Sequence, residues 1–337
     1  MKSSHVVAVF CMPVMIIFIL LLTLHTFSIS PLATFLPKQI GYAQSELRDV
    51  DKLLNDANSL FAQKNYSQAI DLYDSVLVID PNNLFALTNK GVSLFSLSQF
   101  EEAIKLYDRI LEIDPNDVLG LANKGGALYA LGQNQEAIIW LDKALALDPN
   151  NVLALVNKGA ALGYEGRNQE AITWYDKALA LDPNNVNVLA NKGGALYTLG
   201  QRQEALDYID KALAIDPNNI IGLTNKGAIL FDQGEYQEAI DRYDKALTIK
   251  PDNPLTLANK GGALYALGQR QEAIIWLDKA LALDPNNISA LINKGGILSD
   301  LGQHQQGLIL IDKALEIYPN NTKILEIKKI IQDKITN

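Results

Sequence analysis

Asp114-Pro115-Asn116 is the stretch from which the fold is read, because it returns down the chain at one fixed distance. Prolines stand at Pro81, Pro115, Pro149, Pro183, Pro217, Pro251, Pro285 and Pro319, a spacing of 34 residues that never slips. A strict period of this length marks an array of stacked units, not one globular core. Function is then to be sought on the face that such an array presents.

Framed with proline at position 32, eight units run 50–83, 84–117, 118–151, 152–185, 186–219, 220–253, 254–287 and 288–321. Position 4 is leucine throughout, from Leu53 to Leu291, as is position 11, from Leu60 to Leu298. Position 8 is glycine from Gly91 to Gly295, with Ala57 in the first unit. The spacing 4, 8, 11 lies along one helical stripe. After a break that is usually glycine, a second stripe begins at Ala69, Ala103, Ala137, Ala171, Ala205, Ala239 and Ala273, at position 20. Position 24 then holds Tyr or a branched apolar residue, and position 27 is mostly alanine.

Glycine inside a helix costs about 1 kcal/mol relative to alanine, so its recurrence predicts two helices that cross closely at positions 8 and 20. The residue before proline is pushed out of helical geometry, which ends the second helix. The asparagines after proline are placed to cap the next first helix. Each unit therefore reads as helix, turn, helix, stop.

A unit with Leu at 4, Gly at 8, Leu at 11, Ala at 20, Tyr at 24, Ala at 27 and Pro at 32 resembles the tetratricopeptide repeat (TPR), over residues 50–321. The family's aromatic at position 4 is leucine here, and its usual leucine at position 7 is lysine, Lys90 to Lys294. The resemblance implies an all-α fold, a right-handed superhelix of antiparallel helix pairs. Its first helices would line a concave groove for peptides or protein partners. Residues 322–337 alternate isoleucine with lysine and read as the amphipathic helix that caps the last unit. Residues 44–49 read as a linker.

Residues 1–43 differ in composition. They hold no acidic residue, and Val6–Leu24 is almost continuously apolar, long enough for a membrane-crossing hydrophobic helix. Two readings stand. In one, Lys2, the apolar run and the small residues of Gly41-Tyr42-Ala43 form a signal peptide cleaved near Ala43. In the other, residues 6–24 remain as an anchor in the membrane. Either places the repeats outside the cytoplasm if the basic terminus stays inside. Cys11, the only cysteine, lies in this segment, so the chain forms no internal disulfide.

A net charge of -9 argues against a nucleic-acid partner, which needs a basic footprint. Only His5, His25 and His304 are present, too few with one cysteine to assemble a metal cluster or a nucleophile and its base. The reading is accordingly non-enzymatic, with no cofactor and no metal.

The columns that could bind lie elsewhere. Position 6 is asparagine in every unit: Asn55, then Asn89, Asn123, Asn157, Asn191, Asn225, Asn259 and Asn293. At 100° per residue it sits about 160° from the buried stripe, and neighbouring exposed positions have drifted while it has not. One explanation is structural, an amide bonded to an adjacent unit. The other is a ladder that meets the backbone of an extended peptide, since an amide both donates and accepts. The spacing is similar to the asparagine ladder of the O-linked N-acetylglucosamine transferase superhelix, whose catalytic domain has no counterpart here.

Beside it, position 9 is small, position 2 mostly apolar, and position 12 carries Phe95, Tyr129, Tyr197, Phe231 and Tyr265. Packing between units is the competing explanation for these rings. The carboxylate-clamp pattern of the family is missing, which disfavours a receptor for chaperone tails. Lysine at position 7 and aspartate at position 25, Asp74 to Asp312, read as a solvated face. The function expected is a scaffold that captures a protein or peptide segment. A self-associating structural element or an accessory subunit of an enzyme complex is the alternative. Sequons at Asn65, Asn287 and Asn320 become glycosylation candidates if the chain is exported.

Overall fold

In a computed structural model of the chain, residues 49–336 are described. The expected signal or anchor segment, with Cys11 and the cleavage site near Ala43, lies outside the described residues. Among the described residues no helix is long and apolar enough to cross a membrane.

The architecture is a helical repeat solenoid of 17 described helices. They are α1 (49–62), α2 (Tyr66–Ile79), α3 (Leu84–Ser96), α4 (Phe100–Ile113), α5 (Val118–Ala130), α6 (Asn134–Leu147), α7 (Val152–Tyr164), α8 (Asn168–Leu181), α9 (Val186–Thr198), α10 (Arg202–Ile215), α11 (Ile220–Asp232), α12 (Tyr236–Ile249), α13 (Pro254–Ala266), α14 (Arg270–Leu283), α15 (Ile288–Asp300), α16 (His304–Ile317) and α17 (Thr322–Thr336). Two compact units divide the chain, one ending at Ala86 and one starting at Leu87.

In the first unit, α1 and α2 close over Ala57, Ala69, Tyr73 and Val76. The Tyr73 hydroxyl donates to Asn58 Oδ1 at 2.8 Å. Burial pushes its pKa up to about 12.

In the second unit each first helix packs on its own second helix and on the next first helix, while each second helix also packs on the next first helix. The expectation of a close crossing at position 8 holds, and its partner is chiefly position 24. A Cβ added at Gly91, Gly159 or Gly227 would lie 2.5 Å from the ring of Tyr107, Tyr175 or Tyr243. At Gly125 and Gly193 it would meet Leu141 and Ile209 at the same distance, with Ala137 O and Ala205 O at 3.3 and 3.1 Å. Glycine is thus the seat for a large side chain, and the alanine of position 20 lets the backbones approach.

Asp-Pro-Asn acts as punctuation. The Asp114 and Asp148 carboxylates accept from the backbone N–H of Asn116 and Asn150, at 3.0 and 3.1 Å. One residue later, Asn151, Asn185, Asn219, Asn253 and Asn287 accept from the third N–H of the following helix, as N-caps do. Between paired helices the chain turns through left-handed backbone, φ +80° at Gly200, but Ser98 holds φ +60° in the same turn of its unit. An L-residue pays about 1–2 kcal/mol there. Gly200→Ala is therefore expected to cost about 1 kcal/mol. Ser98→Gly is expected to gain less, because glycine's freedom in the unfolded chain offsets about 0.5–1 kcal/mol of the relief. Urea titration of the two variants checks both signs.

Helix α17 docks through Ile324 and Ile331 against Leu291, Ile311 and Ala314. In the frame it is a further first helix, with Leu325 at position 4 and Lys328 at position 7. Lys329 and Gln332 replace the Gly and Leu of positions 8 and 11, so the face that would receive a second helix is polar.

The aspartate column is half-exposed as the sequence suggested, but the lysine column is drawn in from the solvated face. Lys192, 6% exposed at its side chain, bonds Asp176 Oδ1 at 2.5 Å and donates to the Tyr208 hydroxyl at 2.7 Å. Lys124 pairs with Asp108 at 2.5 Å, Lys226 with Asp210 at 2.6 Å and Lys328 with Asp312 at 2.8 Å. Lys158–Asp142 and Lys260–Asp244 repeat the contact. Each lysine thus ties position 7 of one unit to position 25 of the unit before. Lys124, Lys158 and Lys260 also lie 3.6–3.8 Å from the ring centroids of Trp140, Trp174 and Trp276, the range of cation–π attraction.

Candidate functional site

Because consecutive first helices lie side by side in the second unit, positions 2, 6, 9, 12 and 13 of neighbouring units come onto one face. A cavity of about 390 Å³ on that face shows the register: Tyr129, Ala160, Asn191, Gly194, Asn225 and Leu255 all line it. Among the expected site residues it brings together Tyr129, Asn191 and Asn225. A second cavity of about 270 Å³ holds Tyr265 and Asn293. Asn89, Asn123, Asn157 and Asn259 stand half-buried in the same column, and Phe95 and Phe231 in the aromatic column are 37% exposed and half-buried. Asp300 and Lys334 share the second cavity with Tyr265 and Asn293, whereas the first is lined by uncharged residues alone and offers hydrogen bonding and apolar contact.

The asparagines differ in what holds them. Asn225 donates from Nδ2 to the Ala190 carbonyl of the preceding first helix at 3.1 Å. Its Nδ2 also sits 2.7 Å from where a Cβ of Gly194 would be, with Oδ1 farther, at 3.5 Å. Asn157 faces Gly126 and Asn293 faces Gly262 in the same way. Position 9 before Asn191 and Asn259 is Ala160 and Ala228, and before Asn123 it is Val92. Of the two explanations for position 6, the structural one, an amide held against an adjacent unit, describes Asn157, Asn225 and Asn293. Each of these three packs its amide nitrogen against a helix backbone and turns its carbonyl oxygen away.

The aromatic column has partners that were not expected. Tyr197 donates to Asp232 Oδ2 at 2.7 Å and Tyr265 to Asp300 Oδ2 at 2.7 Å. Both acceptors stand at position 13 of the next unit. Burial, and then the hydrogen bond to Asp300, pushes the Tyr265 pKa up to about 12. Burial and Asp232 act likewise on Tyr197, and burial with nearby Tyr164 raises Tyr129. The hydrogen bond from Tyr265 holds Asp300 below the usual carboxylate range against its own burial, aided by Lys334. A signal existed in the sequence. Tyr197 and Tyr265 at position 12 are followed by Asp at position 13 of the next unit, whereas Phe95 and Phe231 are followed by Ala130 and Ala266.

Comparison with known proteins agrees with this fold. No curated protein matches the chain. In the structure of an APC/C hetero-tetramer, Cut9-Hcn1, one chain matches with a TM-score of 0.66 at 21% identity, over 83% of this chain. This chain spans 55% of that one. A tetratricopeptide repeat protein from Parabacteroides merdae matches with a TM-score of 0.52 at 16% identity, over 85% of this chain and 99% of that one. At these identities the likeness is one of fold. Models described as tetratricopeptide repeat match residues 57–83, 88–152, 186–219, 208–241, 254–287 and 288–321, and one described as TPR repeat matches 164–200 and 227–268. With most of its described length matched in this way, the chain belongs to the tetratricopeptide repeat family.

Proposed function

We propose that the protein is a non-catalytic scaffold that captures an extended protein segment along the face shared by its first helices. One observation carries the reading: that face aligns half-exposed amides at position 6 with apolar side chains beside them. Leu119 and Leu255 are each 52% exposed at position 2, where a packed core would have covered them. The amides suit the N–H and C=O groups of a backbone whatever its side chains, because each carries donor and acceptor together. Anchoring Nδ2 of Asn225 does not consume Oδ1, so one amide both joins units and accepts from a ligand N–H. Within the second unit the stacked repeats are read as winding right-handed, with this face inside the groove. The repeats are read as lying outside the cytoplasm, since Lys2 and the apolar run 6–24 favour export or anchoring; sequencing the amino terminus of the mature chain tests this.

The decisive variant uses the asparagines that face no glycine. Asn123, Asn191 and Asn259 are changed together to alanine in the full-length chain, and random dodecapeptides displayed on phage are panned against it and the parent. The parent is expected to enrich peptides that bind the triple variant at least tenfold more weakly, with the melting temperature moved by no more than about 2 °C, the scale of a sub-kcal/mol change in a chain of this size. No enrichment, or a melting temperature that falls together with affinity, refutes the reading.

A further inference from the structure

The cavity at Gly163 has the place of a ring that the chain omits. Position 12 is aromatic in every unit except two, which carry Gly163 and Ser299. The two cavities described on this face lie at those two residues. At Ser299 the serine hydroxyl engages the His304 ring at 3.0 Å, and charged Asp300 and Lys334 line the walls. At Gly163 every lining residue is uncharged.

Gly163 is not demanded by packing. A Cβ there would meet nothing nearer than 3.9 Å, where Ala171 Cβ, Asn168 Oδ1 and the Tyr175 hydroxyl stand. This contrasts with Gly159 one turn earlier, whose Cβ would strike Tyr175 at 2.5 Å. A glycine inside a helix with no steric reason for it weakens the helix and leaves only space. The cavity is lined by Tyr129, Ala160 and Ala195 and by the polar groups of Asn191, Asn225 and Thr198 among others. Thr198 holds position 13, the place from which Asp232 and Asp300 receive the Tyr197 and Tyr265 hydroxyls. The repeat geometry would therefore bring the hydroxyl of a tyrosine ring in this cavity to the Thr198 oxygen.

We propose that this cavity is a specificity pocket for one neutral phenolic side chain, a tyrosine of the segment lying along the face. The proposal rests on the reading that the face binds an extended segment. The ring packs against Tyr129 where the chain's own ring is missing, and its hydroxyl reaches Thr198. With no cation in the wall, a phosphorylated tyrosine is rejected, because its charge would be desolvated without a partner.

The test uses p-cresol, the isolated tyrosine side chain, titrated into the full-length chain and followed by NMR at the Gly163 and Gly194 amides. Toluene and phenyl phosphate are titrated in parallel. p-Cresol is expected to shift these amides saturably, with toluene at least threefold weaker and phenyl phosphate at least tenfold weaker. Gly163→Tyr, which restores the ring found at 129, 197 and 265, is expected to abolish the shifts. Thr198→Val is expected to remove the preference for p-cresol over toluene, and it decides the matter if Gly163→Tyr fails to fold. Absence of saturable binding, equal binding of phenyl phosphate, or a preference unmoved by Thr198→Val overturns the proposal. Peptides enriched without tyrosine, together with a silent p-cresol titration, would remove the pocket and leave the scaffold. A p-cresol site without any enriched peptide would do the reverse.

Discussion

Gly159→Val is expected to destabilise the array by at least about 2 kcal/mol, while Gly163→Ala in the same helix is expected to stabilise it by about 0.5–1 kcal/mol. The two positions are one turn apart, and intrinsic helix propensity favours both changes. The difference is what the new atoms meet. A Cβ at residue 159 lies 2.5 Å from Cε1 and 2.8 Å from Cδ1 of Tyr175, a ring only 3% exposed. That ring cannot swing away as the tip of a surface chain would. Overpacking of this kind costs about 1–3 kcal/mol and occasionally more, and the branched valine adds two methyl groups to the clash. At residue 163 the added methyl enters open space. In a repeat array each unit contacts only its neighbours, so the damage from Gly159→Val should appear first as lost amide protection in α7 and α8. Hydrogen exchange with denaturant titration measures both. If Gly159→Val melts like the parent, the close crossing is not what keeps glycine at position 8.

Asp176→Ala is expected to cost about 2 kcal/mol and Lys192→Met less than about 1 kcal/mol, although both delete the same ion pair. Removing one partner of a buried pair strands the other charge, and here the two ends differ. Lys192 is 6% exposed at its side chain and Asp176 is 54% exposed. Without Asp176 the ammonium keeps the Tyr208 hydroxyl and ring, but its charge lies in a poorly hydrated place. Without Lys192 the carboxylate returns to water, and methionine fills the vacated volume. The full penalty of about 3–5 kcal/mol for breaking a buried pair is reduced because water reaches the aspartate side.

The same site sets a pH dependence. Burial opposes the Lys192 charge, but its hydrogen bonds to Asp176 and Tyr208 outweigh burial and raise its pKa above the usual lysine value. A raised pKa in the folded state means that the contribution is complete below the unfolded lysine pKa of about 10.4 and is lost as pH rises through the folded value. The stability gap between parent and Lys192→Met should therefore hold from pH 7 to about 10 and change only above it. A double-mutant cycle across Lys192 and Asp176 gives the coupling directly.

The fold was legible in the sequence because its causes are local and repeated. Proline at 32, leucine at 4 and 11 and glycine at 8 each act within one unit or against its immediate neighbour, and a fixed period aligns them. The lysine ladder was visible as two columns 16 residues apart, Lys192 after Asp176, but helical-wheel geometry of one unit leaves both on an outer flank. Only stacking on the unit before it buries the lysine. Position 6 shows the same limit. Asn225 looks free on its own helix, and its bond to Ala190 arises from a neighbour 35 residues away. Gly163 was a different omission: one missing aromatic in a column of rings reads as drift until the space it leaves is seen.

The most direct test of the central claim is the affinity, by calorimetry, of a peptide enriched on the parent chain and of its analogue with alternate backbone amides N-methylated. If the asparagine column reads backbone, the analogue should bind at least tenfold more weakly to the parent chain, about 1.4 kcal/mol, within the reach of two lost hydrogen bonds. Against the Asn123, Asn191 and Asn259 alanine variant the gap between the two peptides should narrow, leaving only what Asn157, Asn225 and Asn293 still accept. An analogue that binds the parent as tightly as the unmodified peptide, or loses as much against the variant, would contradict it.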